Sequence, residues 1–167
     1  NVSLGDKCIF KNTFFVAKGN TLTLLIGESG IGKSTFLDIL MFKYESDYNY
    51  FDKKLSAFDK KQKSEFIYNH ISYVEQNPVL IESLTIEKHI SIILASYQLE
   101  DRLEDIIYLF GIESLLEKYP RQLSGGERVR VAIYLGLLKS PHIFILDEPT
   151  ASLDKQNKEI IIRYLKE

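Results

Sequence analysis

The chain has 167 residues, 45% of them hydrophobic and 26% charged, with a formal net charge of −2 from 21 basic and 23 acidic residues. This is ordinary globular composition, long enough for one domain with a buried core, and it lacks the basic excess of a nucleic-acid-binding face, so no nucleic-acid partner is expected. Cys8 is the one cysteine, which excludes an internal disulfide and fits a reducing compartment. The apolar runs fall far short of the ~18–20 residues of a membrane span, and no secretory leader is recognised; work at a membrane would need a partner to cross it.

Residues 1–19 read as short strands with a turn at Leu4-Gly5-Asp6-Lys7, and Lys18-Gly19-Asn20 is a second turn signal. Thr21-Leu22-Thr23-Leu24-Leu25-Ile26 is a β-favouring apolar run, and a strand is expected there. Phe36-Leu37-Asp38-Ile39-Leu40-Met41 is helix-like. Residues 43–66 are polar, Tyr-rich and Lys-rich and read as a solvated surface excursion. Ile71-Ser72-Tyr73-Val74 is a short strand ending at Glu75-Gln76-Asn77-Pro78, where Pro78 pushes Asn77 out of helical geometry. Residues 84–110 carry two apolar stripes of helical period, and Gly111 reads as the residue that ends the second. Both stripes are read as packing faces. Residues 123–127 form a turn into a helix that Ser140-Pro141 closes. Ile143-Phe144-Ile145-Leu146 is a continuous apolar run, as expected of a strand buried on both faces. Asp154 is a candidate cap for a last helix.

Between the run at 21–26 and the helix lies Gly27-Glu28-Ser29-Gly30-Ile31-Gly32-Lys33-Ser34-Thr35, which fits the phosphate-loop pattern G-x-x-x-x-G-K-[ST]. Gly27, Gly30 and Gly32 let the backbone curl so that its N–H groups converge on an anion. The following helix adds the positive end of its dipole. Lys33 supplies a mobile charge for β- and γ-phosphates, and the Ser34 hydroxyl is placed to hold Mg²⁺. A chance Gly-rich turn is the plain alternative, but the strand–loop–helix context is what a phosphate loop requires.

Asp147-Glu148 follows the apolar run at 143–146. A carboxylate at the carboxyl end of a parallel strand lies where α/β sheets bind ligands. There Asp147 can orient Mg²⁺ and Glu148 can hold an attacking water. Leu123-Ser124-Gly125-Gly126-Glu127 offers a hydroxyl and uncovered backbone N–H groups at a helix start, a second anion site in one chain. Taken alone, a plain N-cap explains it better. Taken with the phosphate loop, two anion sites suggest a head-to-tail dimer that closes each nucleotide between copies.

With these residues in place, the chain resembles the ATP-binding cassette (ABC) ATPase superfamily from end to end. Residues 27–35 are similar to its Walker A, Gln76 to its Q-loop glutamine, 123–127 to its signature, 143–149 to Walker B, and Ala151-Ser152-Leu153-Asp154 to its D-loop. The resemblance implies an α/β P-loop NTPase fold with a mostly parallel sheet, an N-terminal antiparallel β part and a helical subdomain at about 79–125 within a single domain over 1–167. It implies ATP and Mg²⁺ as cofactors and Gln76 as a contact for Mg²⁺ and the attacking water. Its partners would be a second cassette and a separate membrane permease, with the protein peripheral on the cytoplasmic face. Two departures stand out. The family stacks adenine on an early aromatic residue, and Leu4 occupies the matching place. The family's switch histidine would lie beyond Glu167, so a cassette lacking its C-terminal end is expected, and His70, His89 and His142 are not assigned that role. The gaps from Lys33 to Gln76 and from Gln76 to Ser124 leave no room for the long coiled coils of chromosome-maintenance and repair members. One cassette and a net charge of −2 argue against a translation-type member. The expected function is the ATP-hydrolysing subunit of a transporter, with small export cassettes for peptides, bacteriocins or lipoproteins as the nearest likeness.

Overall fold

The structure, a computed structural model, describes residues 2–4, 7–10, 15–44, 49–50, 53–99, 104–149 and 155–164. The chain forms two compact units, Asn1–Asn69 and His70–Glu167.

In the first unit β1 (Val2–Leu4) pairs antiparallel with β2 (Lys7–Phe10), Leu4 opposite Lys7. Leu4 and Lys7, the ends of the expected turn, are thus paired; Gly5 and Asp6 lie outside the described residues. The turn at Lys18-Gly19-Asn20 is also present: the Thr21 hydroxyl donates to Lys18 O at 2.7 Å, and Asn20 takes φ 54°. Residues 21–26 depart from expectation. They form no strand with any described residue, and Leu24 and Ile26 are 73% and 87% exposed. β-propensity measures how a side chain suits a pleated, half-buried surface, and without a ladder it produces no strand. Helix α1 (Lys33–Leu40) follows.

Residues 43–66 also differ from the expected solvated excursion. A small hairpin of β3 (Asn49–Tyr50) and β4 (Lys53–Lys54) leads into helix α2 (Lys60–His70). The start of α2 is fixed by a reciprocal pair: Gln62 N donates to Asp59 Oδ1 at 2.8 Å, and Asp59 N to Gln62 Oε1 at 2.9 Å. Phe66 is buried and meets Phe42, Tyr50 and Phe58 edge-on, with ring centroids 5.1–6.1 Å apart. Burial also pushes the Tyr50 hydroxyl above its usual pKa. Four aromatic residues scattered through a polar stretch leave no periodic signal, yet together they build a small core.

In the second unit β5 (Ile71–Val74) runs parallel to β6 (Ile143–Leu146), in register from Ile71 opposite Ile143 to Val74 opposite Leu146. A parallel pair needs a long crossover, and here it holds helices α3 (Ile86–Tyr97), α4 (Glu104–Leu109) and α5 (Gly125–Leu138). The two stripes expected in 84–110 thus fall on two helices. Gln98 at φ 53° ends α3, and Gly111 at φ 61° lies just past α4, as expected. Val129, Val131, Ile133, Tyr134, Leu135 and Leu138 of α5 are all buried, the mark of a helix packed nearly all round. Ile86, Phe110, Ile112, Leu115 and Ile161 of α6 (Lys155–Tyr164) join the same core. Full burial of each such side chain contributes about 1.5–3 kcal/mol. In β6 only Ile145 is fully buried, its neighbours being half-buried.

Gly136 sets how closely α5 lies on the sheet. A Cβ there would come within 2.8 Å of the Phe144 ring and 3.5 Å of Val74. The Ser72 hydroxyl donates to Gly136 O at 2.8 Å across the same contact.

Candidate nucleotide site

The phosphate loop lies in the first unit. Gly30 and Gly32 take φ 78° and 106°, left-handed backbone in which a Cβ would be strained. A Cβ on Gly27 would come within 3.0 Å of the Ile31 side chain. Gly32 caps α1, so Ser34 and Thr35 fall in its first turn, where backbone N–H groups have no helical acceptor. That turn carries no acidic side chain, which leaves the positive end of the helix dipole uncancelled. Lys33 folds back over the loop and donates to Gly27 O at 2.8 Å and Glu28 O at 2.9 Å. Its ammonium is thus held at the loop mouth by neutral carbonyls, weaker partners than an anion. Ser29 and Gly30 form the turn at the tip, and Ile31 N donates back to Glu28 O at 3.4 Å.

The acidic residues lie in the second unit, at the carboxyl ends of β5 and β6. Asp147 N donates to Val74 O at 2.9 Å, extending the ladder one residue beyond β6. Its Oδ2 accepts from the Tyr73 hydroxyl at 3.3 Å. Gln76 Nε2 donates to Glu148 Oε2 at 3.0 Å. Glu148 itself stands at φ 47°, an uncommon conformation for a residue with a Cβ and one that clusters at functional sites. The sequence singled out Gln76, Asp147 and Glu148 separately; the structure brings Gln76 and Glu148 into contact and gives Asp147 a tyrosine partner that no motif signalled.

At the start of α5 the Ser124 Oγ accepts from Glu127 N at 3.2 Å, while Glu127 Oε2 accepts from Ser124 N at 2.7 Å. This is a full capping box, and the spacing Ser124-Gly125-Gly126-Glu127 carries its S-x-x-E signature. Glu127 also accepts from Lys118 Nζ at 3.1 Å. The Ser124 N–H and then the other partners hold its carboxyl below the usual range. The Glu127 side chain is therefore committed within the protein, while Ser124 keeps a hydroxyl proton to donate. A cleft of about 250 Å³ runs from Gln76, Pro78 and Val79 to Gly125, Arg128 and Val129. His89, at the start of α3, is buried: its Nε2 accepts from Ile81 N at 3.0 Å and its Nδ1 faces Thr85 O at 2.8 Å, which places the proton on Nδ1. Residues 151–154, where a D-loop and the candidate cap Asp154 are expected, lie outside the described residues, as does the Leu4 side chain.

A strand-end acid pair and a glycine loop that opens a helix beneath a lysine define the P-loop nucleotide-binding class. The profile of the ABC transporter family matches residues 10–151. The chain belongs to that family. It is 35% identical over 153 residues to the molybdenum import ATP-binding protein ModC of Pseudomonas aeruginosa, a match covering 88% of this chain and 42% of ModC. It is 32% identical over 167 residues to the lipoprotein-releasing system ATP-binding protein LolD of Buchnera aphidicola, covering 95% of this chain and 73% of LolD. Among solved structures, the ATP-binding cassette MJ0796, as a post-hydrolysis dimer bound to ADP and Pi, aligns with a TM-score of 0.72 at 28% identity. That match covers 83% of this chain and 65% of the cassette. The chain thus spans less than half of the ModC relative and about two thirds of the cassette. The TM-score supports the α/β P-loop class expected from the sequence, and the described residues include the expected helices, a parallel strand pair and an N-terminal antiparallel pair. Among the described residues, no helix is long and apolar enough to cross a membrane.

Proposed function

We propose that the chain is the ATP-binding and ATP-hydrolysing cassette of an ABC transporter. It works as a head-to-tail pair and drives a separate membrane permease from the cytoplasmic face. The observation that carries this reading is Glu148, held by Gln76 in left-handed geometry at the end of a parallel strand, in a chain that also has a complete phosphate loop. Loop residues 27–35 bind the phosphates through backbone N–H groups and the Lys33 ammonium. Each unit also offers donors of the kind that suit Mg²⁺, a hard ion that takes oxygen ligands: in the first the Ser34 hydroxyl, and in the second the Gln76 side-chain oxygen and the Asp147 carboxylate, whose Oδ1 is not the atom bonded to Tyr73. Bound Mg²⁺ would neutralise charge on the phosphate oxygens. Glu148 takes a proton from the attacking water or orients it, and Gln76 fixes the carboxylate in place. Ser124, Gly125 and Gly126 donate to the phosphate bound by the paired cassette.

For cargo we propose export of a peptide, bacteriocin or lipoprotein. The likeness to the lipoprotein-releasing LolD, 73% of which is covered, supports this reading. The test is ATP binding and turnover by the full protein, wild type and Lys33→Ala. Wild type should bind and hydrolyse ATP with Mg²⁺, and the variant should lose nearly all of both. Equal affinity and turnover in the two proteins would overturn the reading.

A further inference from the structure

The capping box at the start of α5 sets geometry against charge. Glu127 Oε2 accepts from Ser124 N at 2.7 Å, which fixes the backbone where the helix begins. The same bond holds a carboxylate in the first turn of α5. In the reading proposed above, Ser124, Gly125 and Gly126 donate from this turn to the phosphate of the paired cassette. A bare carboxylate beside them offsets the positive end of the helix dipole and repels the arriving anion.

Lys118 removes that conflict. Its Nζ lies 3.1 Å from Glu127 Oε1, the oxygen that Ser124 N does not use. The two carboxylate oxygens are thus divided: one fixes the backbone and the other meets a cation. The main chain holds Lys118 on both sides, its N donating to Leu115 O at 2.9 Å and its O accepting from Ile86 N at 3.0 Å. A fixed backbone therefore delivers the ammonium to Glu127. The two side chains are 38% and 22% exposed, so water screens the pair only in part. Glu82, the acid that reaches the next residue of α5, is matched in the same way: Arg128 Nη1 meets it at 3.2 Å.

We propose that Lys118 is a positioning residue of the signature site, compensating the charge of Glu127 so that the start of α5 stays attractive to phosphate. It touches no phosphate and acts through Glu127. The proposal rests on the head-to-tail reading and deepens it, because it assigns a residue outside the motif to the half-site that the second cassette supplies.

The experiment measures ATP-driven pairing of the full protein by analytical ultracentrifugation, in a Glu148→Gln parent that retains ATP. Lys118→Met keeps the aliphatic stem and removes the charge. Each site should weaken roughly threefold, on the scale of a half-exposed ion pair. A head-to-tail pair closes two such sites, so its association constant should fall about tenfold. Lys118→Arg should pair like the parent. Adding Glu127→Gln to Lys118→Met should recover most of the loss, since no charge is left to compensate; a Lys118 that served only the fold would gain nothing from this second change. A further measurement needs neither nucleotide nor pairing. The Glu127 carboxyl is held low first by the Ser124 N–H and also by Lys118, so in carbon-13 NMR it should titrate higher in Lys118→Met than in wild type. If the Met variant folds poorly, Lys118→Gln replaces it in every comparison. A parent that does not pair with ATP would overturn the head-to-tail reading and this proposal with it. A parent that pairs, with Lys118→Met pairing equally well, with no recovery from Glu127→Gln, or with an unmoved Glu127 titration, would overturn the proposal alone.

Discussion

Gln76 donates its side-chain amide to Glu148 at 3.0 Å, joining the residues that lie two positions beyond the paired strand ends Val74 and Leu146. The parallel register alone sets this meeting. Both strands are short, and a one-residue slip would turn each side chain to the opposite face of the sheet. Packing of α5 on the sheet holds the register, so the core specifies the site.

Gln76→Ala should therefore act on turnover more than on binding. It removes the donor that orients Glu148 and one proposed Mg²⁺ ligand, but no group that touches the phosphates themselves. A positioned general base contributes roughly 10²–10⁴-fold, and loss of its support should forfeit about tenfold or more of that. Single-turnover ATP hydrolysis beside equilibrium nucleotide affinity separates the two effects. A large loss of affinity with an unchanged rate would contradict this placement.

The Glu127 carboxyl makes a prediction about pH. Its pKa is lowered in the folded protein, first by the Ser124 N–H and also by Lys118. Its stabilising effect is therefore present above the ordinary glutamate range and is lost as pH falls through the lower folded value. Glu127→Gln keeps an acceptor for the Ser124 N–H but removes the charge at the helix start and beside Lys118, so it should lower stability at neutral pH by about 0.3–1 kcal/mol. The difference from wild type should shrink steadily below the unfolded glutamate pKa. Urea unfolding at a series of pH values measures it, and a gap that widened in acid would be the wrong sign.

Gly136→Ala sets two effects against each other. Alanine in a helix interior gains about 0.5–1 kcal/mol over glycine. The added Cβ, however, would come within 2.8 Å of the Phe144 ring, which is packed on the core. Overpacking costs typically ~1–3 kcal/mol. The net expectation is destabilisation of about 0.5–2 kcal/mol, read from the denaturation midpoint. Phe144→Leu in the same chain should recover part of it.

How much was legible follows from where each signal resides. The phosphate loop is local, and its glycine geometry at Gly30 and Gly32 follows from nine consecutive residues. The Ser124–Glu127 capping box is equally local, so the helix start was readable to the residue. The contact of Gln76 with Glu148 was not, because it depends on a register formed across most of the second unit. The aromatic cluster around Phe66 was missed because its members are far apart in sequence and share no period. The run at 21–26 misled in the opposite direction: its composition favours a strand, but pairing, a non-local property, makes one.

The last prediction joins Glu148 to Gly125 in the complete protein. In the proposed mechanism Glu148 promotes attack by water and adds no attraction for the phosphates, so removing its charge should not weaken ATP binding. Glu148→Gln should stall hydrolysis and leave an ATP-bound pair of cassettes. The Gln76 contact should survive this change, since a glutamine oxygen at position 148 still accepts from Nε2. Gly125 opens α5 beside the Ser124 hydroxyl. Gly125→Asp should break the pair in two ways. The side chain blocks close backbone approach to a phosphate. A carboxylate at ~4 Å from a phosphate charge also costs about 4 kcal/mol per charge pair at an effective dielectric of ~20. Size-exclusion chromatography with ATP distinguishes the outcomes: Glu148→Gln should elute as a dimer, and Glu148→Gln with Gly125→Asp as a monomer. If Glu148→Gln stays monomeric at high protein and ATP concentration, or the double variant stays dimeric, the head-to-tail arrangement is wrong.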